Sequence, residues 1–210
     1  CIRDRVSGGV EYFLRKTTDM LLSFPVAPSL GYSSYYANVG DMVNRGVELS
    51  LSGAVVASKD FLWSVNANVS YNKNKLVELY NGVQEYVNST TGLKFVVGHP
   101  VHEFFLNRYA GVNPANGDAL WYTKDGELTT EFNESDKVMT GKTFDSPWAG
   151  GFGTTFAWKG LSLSAQFSWM ADRWVMNNDR FFEESNGLYS TYNQSRRMLY
   201  DRWKKPGDIT

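Results

Sequence analysis

Trp148-Ala149-Gly150-Gly151-Phe152-Gly153-Thr154-Thr155-Phe156-Ala157-Trp158 repeats with a period of two. Trp148, Gly150, Phe152, Thr154, Phe156 and Trp158 fall on one side of an extended chain, and Ala149, Gly151, Gly153, Thr155 and Ala157 on the other. Ten steps at ~3.3 Å span ~33 Å, and a tilt of ~40° projects this to ~25 Å, the height of the lipid-facing band of a transmembrane barrel, with a tryptophan at each interface. Lys159-Gly160 then reads as a tight turn into Leu161, Leu163, Ala165, Phe167 and Trp169, which alternate with Ser162, Ser164, Gln166 and Ser168.

The same plan occurs earlier in the chain. Val47, Leu49, Leu51, Gly53 and Val55 alternate with small polar residues, and Ser58-Lys59-Asp60 turns the chain into Phe61, Trp63, Val65, Ala67, Val69 and Tyr71, which alternate with Ser64, Asn66, Asn68, Ser70 and Asn72. Val10, Tyr12 and Leu14 mark a less regular strand near the start. A helical period is sustained at most over Asn193 to Lys204. The fold class is therefore all-β and antiparallel.

Charge decides which kind of β protein this is. The windows 46–56, 61–72, 148–158 and 161–170 hold 44 residues and one charge, Glu48, whereas the chain average of 20% charged residues would place about nine there. Soluble sheets carry Lys, Glu and Arg on their wet face; here that face is Ser, Asn, Gly and Thr. The displaced charges collect in connections such as Glu131 to Lys137 and Arg196 to Lys205. Turns of two or three residues alternate with stretches of about 30 residues before Gly46, about 75 between Asn72 and Trp148, and about 40 after Met170. Short turns at one end and long loops at the other are the plan of an outer-membrane barrel, with the turns expected in the periplasm and the loops outside the cell. A soluble sandwich with a neutral face is the alternative.

Composition narrows the function classes. With 21 Lys and Arg against 22 Asp and Glu, the net charge of −1 gives no excess to hold nucleic acid. The lone Cys1 excludes an internal disulfide or a cysteine zinc cluster. Aromatics are abundant, with 7 Trp, 12 Tyr and 13 Phe. Pro25 and Pro28 within the longest uncharged stretch exclude a membrane-spanning helix. The N-terminus lacks the apolar core of a signal peptide and begins inside a strand-like pattern, as expected of a piece of something longer.

Several motifs resemble the C-terminal barrel region of SusC-like TonB-dependent transporters. They are Tyr12 to Leu22, Asn38 to Leu49, Phe61-Leu62-Trp63 leading into Asn68 to Lys75, Gly98-His99-Pro100-Val101, Tyr109 to Pro114 with Gly117-Asp118, Gly150-Gly151-Phe152, and Arg202-Trp203 with Pro206-Gly207-Asp208. They occur in the family's order and run nearly end to end. One departure is Ser146, which stands where the family usually has proline, with Pro147 following. The resemblance implies a partial barrel domain over residues 1–210, with the plug, the TonB-contacting segment and the remaining strands outside it. It further implies an outer-membrane location in a Gram-negative bacterium, import of oligosaccharides or peptides powered through TonB, and a SusD-like surface lipoprotein as lid. A siderophore or cobalamin receptor and a soluble carbohydrate-binding sandwich are the competing readings.

Candidate sites follow from this frame. Glu48, Ser50, Asn66, Asn68, Ser70, Ser164 and Gln166 fall on the polar side of the strands, where a hydrated lumen or the plug would meet them. Trp121, Tyr122, Trp174, Tyr189, Tyr192 and Trp203 lie in the long connections, where ring faces stack on sugars, clamp a partner or pack against one another. His99 and His102 lack further ligands for a metal. Acids such as Asp118, Asp125 and Asp136 match no calcium loop. Gly141-Lys142-Thr143 lacks the glycine at 136 that a phosphate loop needs, and the strand serines Ser162, Ser164 and Ser168 have no neighbouring histidine base. No catalytic residue and no cofactor is expected.

Overall fold

A computed structural model describes residues 5–25, 29, 31, 34–38, 40–87, 93–185 and 187–209; Cys1 and Pro28 lie outside them. The strands in order are β1 (Val6–Thr17), β2 (Leu21–Pro25), β3 (Ser34–Asn38), β4 (Gly40–Ala57), β5 (Phe61–Leu79), β6 (Glu85–Val87), β7 (Lys94–Val96), β8 (Glu103–Leu106), β9 (Arg108–Val112), β10 (Ala119–Tyr122), β11 (Leu128–Thr129), β12 (Val138–Thr143), β13 (Trp148–Trp158) and β14 (Leu161–Ala171), followed by helices α1 (Asn178–Glu183) and α2 (Arg197–Tyr200). The chain divides into two compact units, Cys1–Glu103 with Lys142–Trp174 and Phe104–Gly141 with Val175–Thr210.

The first unit is built on a sheet of order β1-β4-β5-β13-β14, every pair antiparallel. Its register carries the sequence alternation across all five strands. One row runs Val10, Leu49, Val69, Gly150, Trp169, and the next Gly8, Leu51, Ala67, Phe152, Phe167. This apolar face stays uncovered: Val10 is 75% exposed and Leu163 68%. Burying such rows is what would drive a soluble sheet to fold, and a sandwich would cover them with a second sheet. Among the described residues the buried hydrophobic core instead sits at one end of the sheet, where Leu76 and Leu79 at the end of β5 pack with Phe95 and Val101. An apolar face without a protein partner suits lipid as its solvent.

Aromatic residues gather at two levels of that face. Tyr71 and Trp148 pair at 4.6 Å, and eight residues along β13 Trp63 stacks on Phe156 at 5.5 Å, with Trp158 two residues further. The Trp63 indole N–H donates to Thr154 Oγ1 at 2.9 Å, which removes the cost of leaving that donor unpaired. Among the described residues β1 and β14 form the free edges of the sheet. No described helix is long and apolar enough to cross a membrane.

Both short turns form where alternation placed them. Ser58 closes the first by accepting the Phe61 N–H at its hydroxyl, 3.1 Å away. In the second, Lys159 (φ 45°) and Gly160 (φ 88°) both lie in the left-handed region that a two-residue hairpin turn requires. Gly160→Val is therefore expected to destabilise the β13–β14 hairpin by about 1–2 kcal/mol, visible as a lower heat-modification temperature of the full-length barrel on a cold gel. Ser146, the departure from the family pattern, lies with its Oγ 2.6 Å from Trp148 O and 2.7 Å from Ala171 O, tying the loop-side ends of β13 and β14 together.

The sequence pattern cut two strands short. β4 begins at Gly40 and β5 runs to Leu79, because beyond the aromatic row the apolar alternation gives way to polar and charged residues, with Arg45 opposite Lys73, Asn44 opposite Asn74 and Val43 opposite Lys75. The helical period over Asn193 to Lys204 yields only the four residues of α2, and α1 lies outside that window. The 72–148 connection carries seven short strands rather than open loop.

Candidate functional site

The side of the main sheet opposite the apolar rows is polar through its middle, with Ala149 and Met170 completing the row of Glu48 and Ser70 at one end and Leu62 and Ala157 at the other. Across it, Glu11 pairs with Glu48 and Glu48 with Ser70; Gly9, Ser50, Asn68, Gly151 and Ser168 form the next row; Ser7, Ser52, Asn66, Gly153 and Gln166 form the third; Ser64, Thr155 and Ser164 lie beyond. All seven strand residues singled out from the sequence thus share one face. Glycine keeps that face low. A Cβ at Gly153 would stand 2.3 Å from both Asn66 Oδ1 and Gln166 Oε1, so the two side-chain amides close over the glycine from the flanking strands. Hydroxyls pair across strands, Ser7 with Ser52 at 2.7 Å and Thr155 with Ser164 at 3.0 Å. An open cleft of about 560 Å³ lies over Glu11, Glu48, Ser50, Asn68 and Ser70. The β1–β4 register sets Glu11 directly opposite Glu48, a like-charge pair that a sheet normally avoids and that the alternation of either strand alone does not reveal.

The six connection aromatics do not form one platform. Trp174, in the first unit, lies under the Lys142 ammonium at 3.6 Å. In the second unit Trp121 packs edge-on to Tyr109 at 5.1 Å and Phe132 at 5.0 Å, and the Arg108 guanidinium lies 5.4 Å above Tyr122. Tyr189 and Tyr192 both pack on Phe182, at 5.0 and 4.9 Å. Trp203 lies on Gly117, whose positive φ of 85° and missing side chain make room for the indole, and donates its N–H to Pro114 O at 3.0 Å. The two histidines point to different carboxylates, His99 to the buried Glu103 at 2.8 Å and His102 to Asp145 at 2.7 Å.

Helices α1 and α2 each carry an ion pair along their own length, and a longer one links them, Arg197 Nε to Glu184 Oε1 at 3.8 Å. Arg180 donates from Nε and Nη2 to Glu184 Oε2 at 2.9 and 2.7 Å, and Arg197 Nε donates to Asp201 Oδ2 at 3.3 Å. The Arg180 hydrogen bond holds the Glu184 carboxyl below the usual carboxylate range, and the same bond raises Arg180. A depressed carboxylate contributes stability that is present above its ordinary pKa of 4.5 and is lost as pH falls through the lower folded value. Hydrogen exchange across 178–201, corrected for intrinsic rates, is expected to rise on acidification through that window, and Glu184→Gln to remove the acid dependence.

Residues 3–203 match the family described as TonB dependent receptor-like, beta-barrel. The chain belongs to that family. Relatives of this barrel family include TonB-dependent receptor P39 of Formosa agariphila, 22% identical over 253 residues, covering 98% of this chain and 24% of the relative. TonB-dependent receptor SusC of Bacteroides thetaiotaomicron is 27% identical over 131 residues, covering 57% of this chain and 13% of the relative. Among solved structures, that of the RagAB peptide transporter has a TM-score of 0.87 at 32% identity, covering 99% of this chain and 24% of that one, and the RagAB peptide importer in the 'open-open' state has 0.85 at 33%. The chain is thus a SusC-like barrel segment spanning about a quarter of the length of these solved relatives. Receptors and transporters of this kind are not enzymes.

Proposed function

We propose that this segment forms part of the wall of an outer-membrane transporter in a Gram-negative bacterium, one that imports oligosaccharides on energy delivered through TonB and works with a SusD-like surface lipoprotein. The observation that supports this best is the two-sided sheet, with uncovered apolar rows for lipid on one side and uncharged amides and hydroxyls on the other. Asn66, Asn68 and Gln166 each offer donors and an acceptor, and Ser50, Ser70 and Ser164 each offer a hydroxyl, which suits a polyhydroxyl solute in a hydrated lumen. Glu11 and Glu48 add two carboxylates to that lining. Oligopeptide cargo is the second reading, favoured by the likeness to the RagAB peptide transporter at 32% identity over 99% of the chain.

The test uses the full-length protein that contains this chain, co-expressed with its lipoprotein. Uptake of fluorescent oligosaccharides that stops on loss of TonB, together with co-purification of the lipoprotein in detergent, is the expected result. TonB-dependent uptake of peptides without sugars would replace the first reading with the second, and uptake of neither would sink both. Within the first reading, the pair Asn68→Ala and Gln166→Ala is expected to weaken sugar binding roughly fivefold for each hydrogen-bonding amide lost, read by calorimetry.

A further inference from the structure

On the apolar side of the main sheet, cations follow directly on one of the two aromatic levels. Tyr12, Val47, Tyr71 and Trp148 stand opposite one another across β1, β4, β5 and β13. The next row on the same face is Leu14, Arg45 and Lys73, and the row after it Lys16, Val43 and Lys75. The intervening residues turn to the opposite face, where Asn72 and Asn74 both donate to Asn44 Oδ1, at 3.4 and 3.0 Å. Lys16 is paired with Asp41 at 2.8 Å, and the nearby Asp19 and Glu78 add their field to the same ammonium. Arg45, Lys73 and Lys75 are exposed, and among the described residues no carboxylate pairs with them. Arg45 stands directly opposite Lys73, a like-charge pair that costs the sheet stability unless an anion comes between them.

We propose that Arg45, Lys73 and Lys75 bind the phosphate groups of a phosphorylated glycolipid in the outer leaflet of the membrane. Height selects this occupant. Two residues at ~3.3 Å each, tilted by ~40°, raise the Arg45–Lys73 row ~5 Å above the aromatic level. The headgroup layer outside the hydrocarbon is about 5–7 Å deep, so the guanidinium and ammonium groups reach phosphate level while Tyr71 and Trp148 stay at the hydrocarbon boundary. Lys75, ~10 Å above the rings, has an apolar stem that lets its ammonium lean back into the layer. The leaflet is set by the turns at Ser58–Asp60 and Lys159–Gly160, which close the opposite end of the sheet and leave these cations at the long-loop end, the outer one in this architecture. A planar guanidinium takes two phosphate oxygens at once, and the two ammonium groups add point charge beside it. Cargo in the lumen does not meet this row, because Glu48, Ser50 and Asn68 lie on the other face of the same strands. The proposal therefore rests on the apolar rows facing lipid and not on which cargo is imported.

The experiment is titration calorimetry on the full-length protein in neutral detergent with three probes: lipid A, the same glycolipid stripped of its phosphates, and inorganic phosphate. Lipid A is expected to bind roughly tenfold or more tightly than the stripped form, with a preference that shrinks as salt is raised. Arg45→Gln, Lys73→Gln and Lys75→Gln together are expected to abolish that preference, and Arg45→Lys to weaken it because charge stays and the fork is lost. Lys59→Gln, in the turn at the opposite end, is expected to leave it unchanged. Heat modification on a cold gel checks folding, and Arg45→Gln alone serves if the triple variant does not fold. Equal binding of the two glycolipids, binding of neither, or a preference that survives in the variants overturns the proposal. Inorganic phosphate binding as tightly as lipid A overturns the lipid as the source of the anion. Loss of the co-purifying lipoprotein in the triple variant, with lipid A binding intact, overturns it in favour of a protein contact. None of these outcomes bears on the cargo, which uptake decides.

Discussion

Phe152→Arg is expected to be among the most damaging single substitutions in the main sheet, while Ser50→Arg, on the opposite face of the same sheet, is expected to be tolerated. Phe152 lies in β13 four residues from Trp148 and six from Trp158, near mid-height between the aromatic levels, and its ring stacks on Phe167 at 4.7 Å. An arginine at the bilayer midplane of a transmembrane barrel costs about 2–4 kcal/mol, and loss of the aromatic pair adds about 0.5–1.5 kcal/mol. Ser50 faces the open polar cleft, where an arginine keeps its water and lies near Glu48. The folded fraction of the full-length protein after refolding into lipid vesicles, read by heat modification, checks both. If instead Phe152→Arg were neutral and Ser50→Arg destabilising, the apolar rows would not face lipid, and a sandwich with a missing second sheet would return as the better account.

Phe152 also illustrates why the main sheet was readable from sequence. A strand wet on one side and in lipid on the other has to alternate along its length, so Val47 to Gly53, Phe61 to Tyr71, Trp148 to Trp158 and Leu161 to Trp169 carry the pattern, which breaks at the bulge between Ala54 and Val56, and a one-residue slip would move every row to the wrong solvent. Where that constraint ends, so does the signal. Beyond Tyr71 the chain stays in β5 to Leu79, yet Lys73, Asn74 and Lys75 face water or loop, and only pairing to β4 shows that the strand continues. The β6 and β7 pair is three residues long on each side, with Tyr86 stacked on Phe95 at 6.0 Å, a contact between distant positions that no local period announces.

The candidate sites divide in the same way. The seven polar-face residues followed from alternation alone, because face membership is a local property. Alternation also puts Glu11 on the side of its strand opposite Val10 and Tyr12, but its pairing with Glu48 depends on the β1–β4 register across a long connection. Trp203 was identifiable as a loop aromatic, but Arg180, Arg197 and Tyr200, which line a cleft with it, are brought to it by the α1–α2 packing.

The second large effect is expected at Gly46, where replacement by alanine, the smallest side chain, should impair assembly of the β1–β4–β5 wall. Gly46 is buried between Phe13 on β1 and Asn72 on β5. A Cβ there would stand 2.0 Å from Tyr71 O and 2.6 Å from the edge of the Phe13 ring, so the strand pair must part or the chain must shift. Overpacking of this kind costs about 1–3 kcal/mol and more when backbone has to move, and here it does. The strain would reach Asn72, whose Oδ1 is already buried without a hydrogen-bond partner and whose Nδ2 makes only a 3.4 Å contact to Asn44. Gly9→Ala is the control, because its nearest neighbours leave room: Ser50 Oγ, at 3.3 Å, ends a short side chain that can rotate away. Adding Phe13→Ala to Gly46→Ala separates the two contacts. Recovery of the folded fraction in the double variant would assign the clash to the ring; the closer approach to the Tyr71 carbonyl, which no side-chain deletion removes, predicts that the double variant stays impaired.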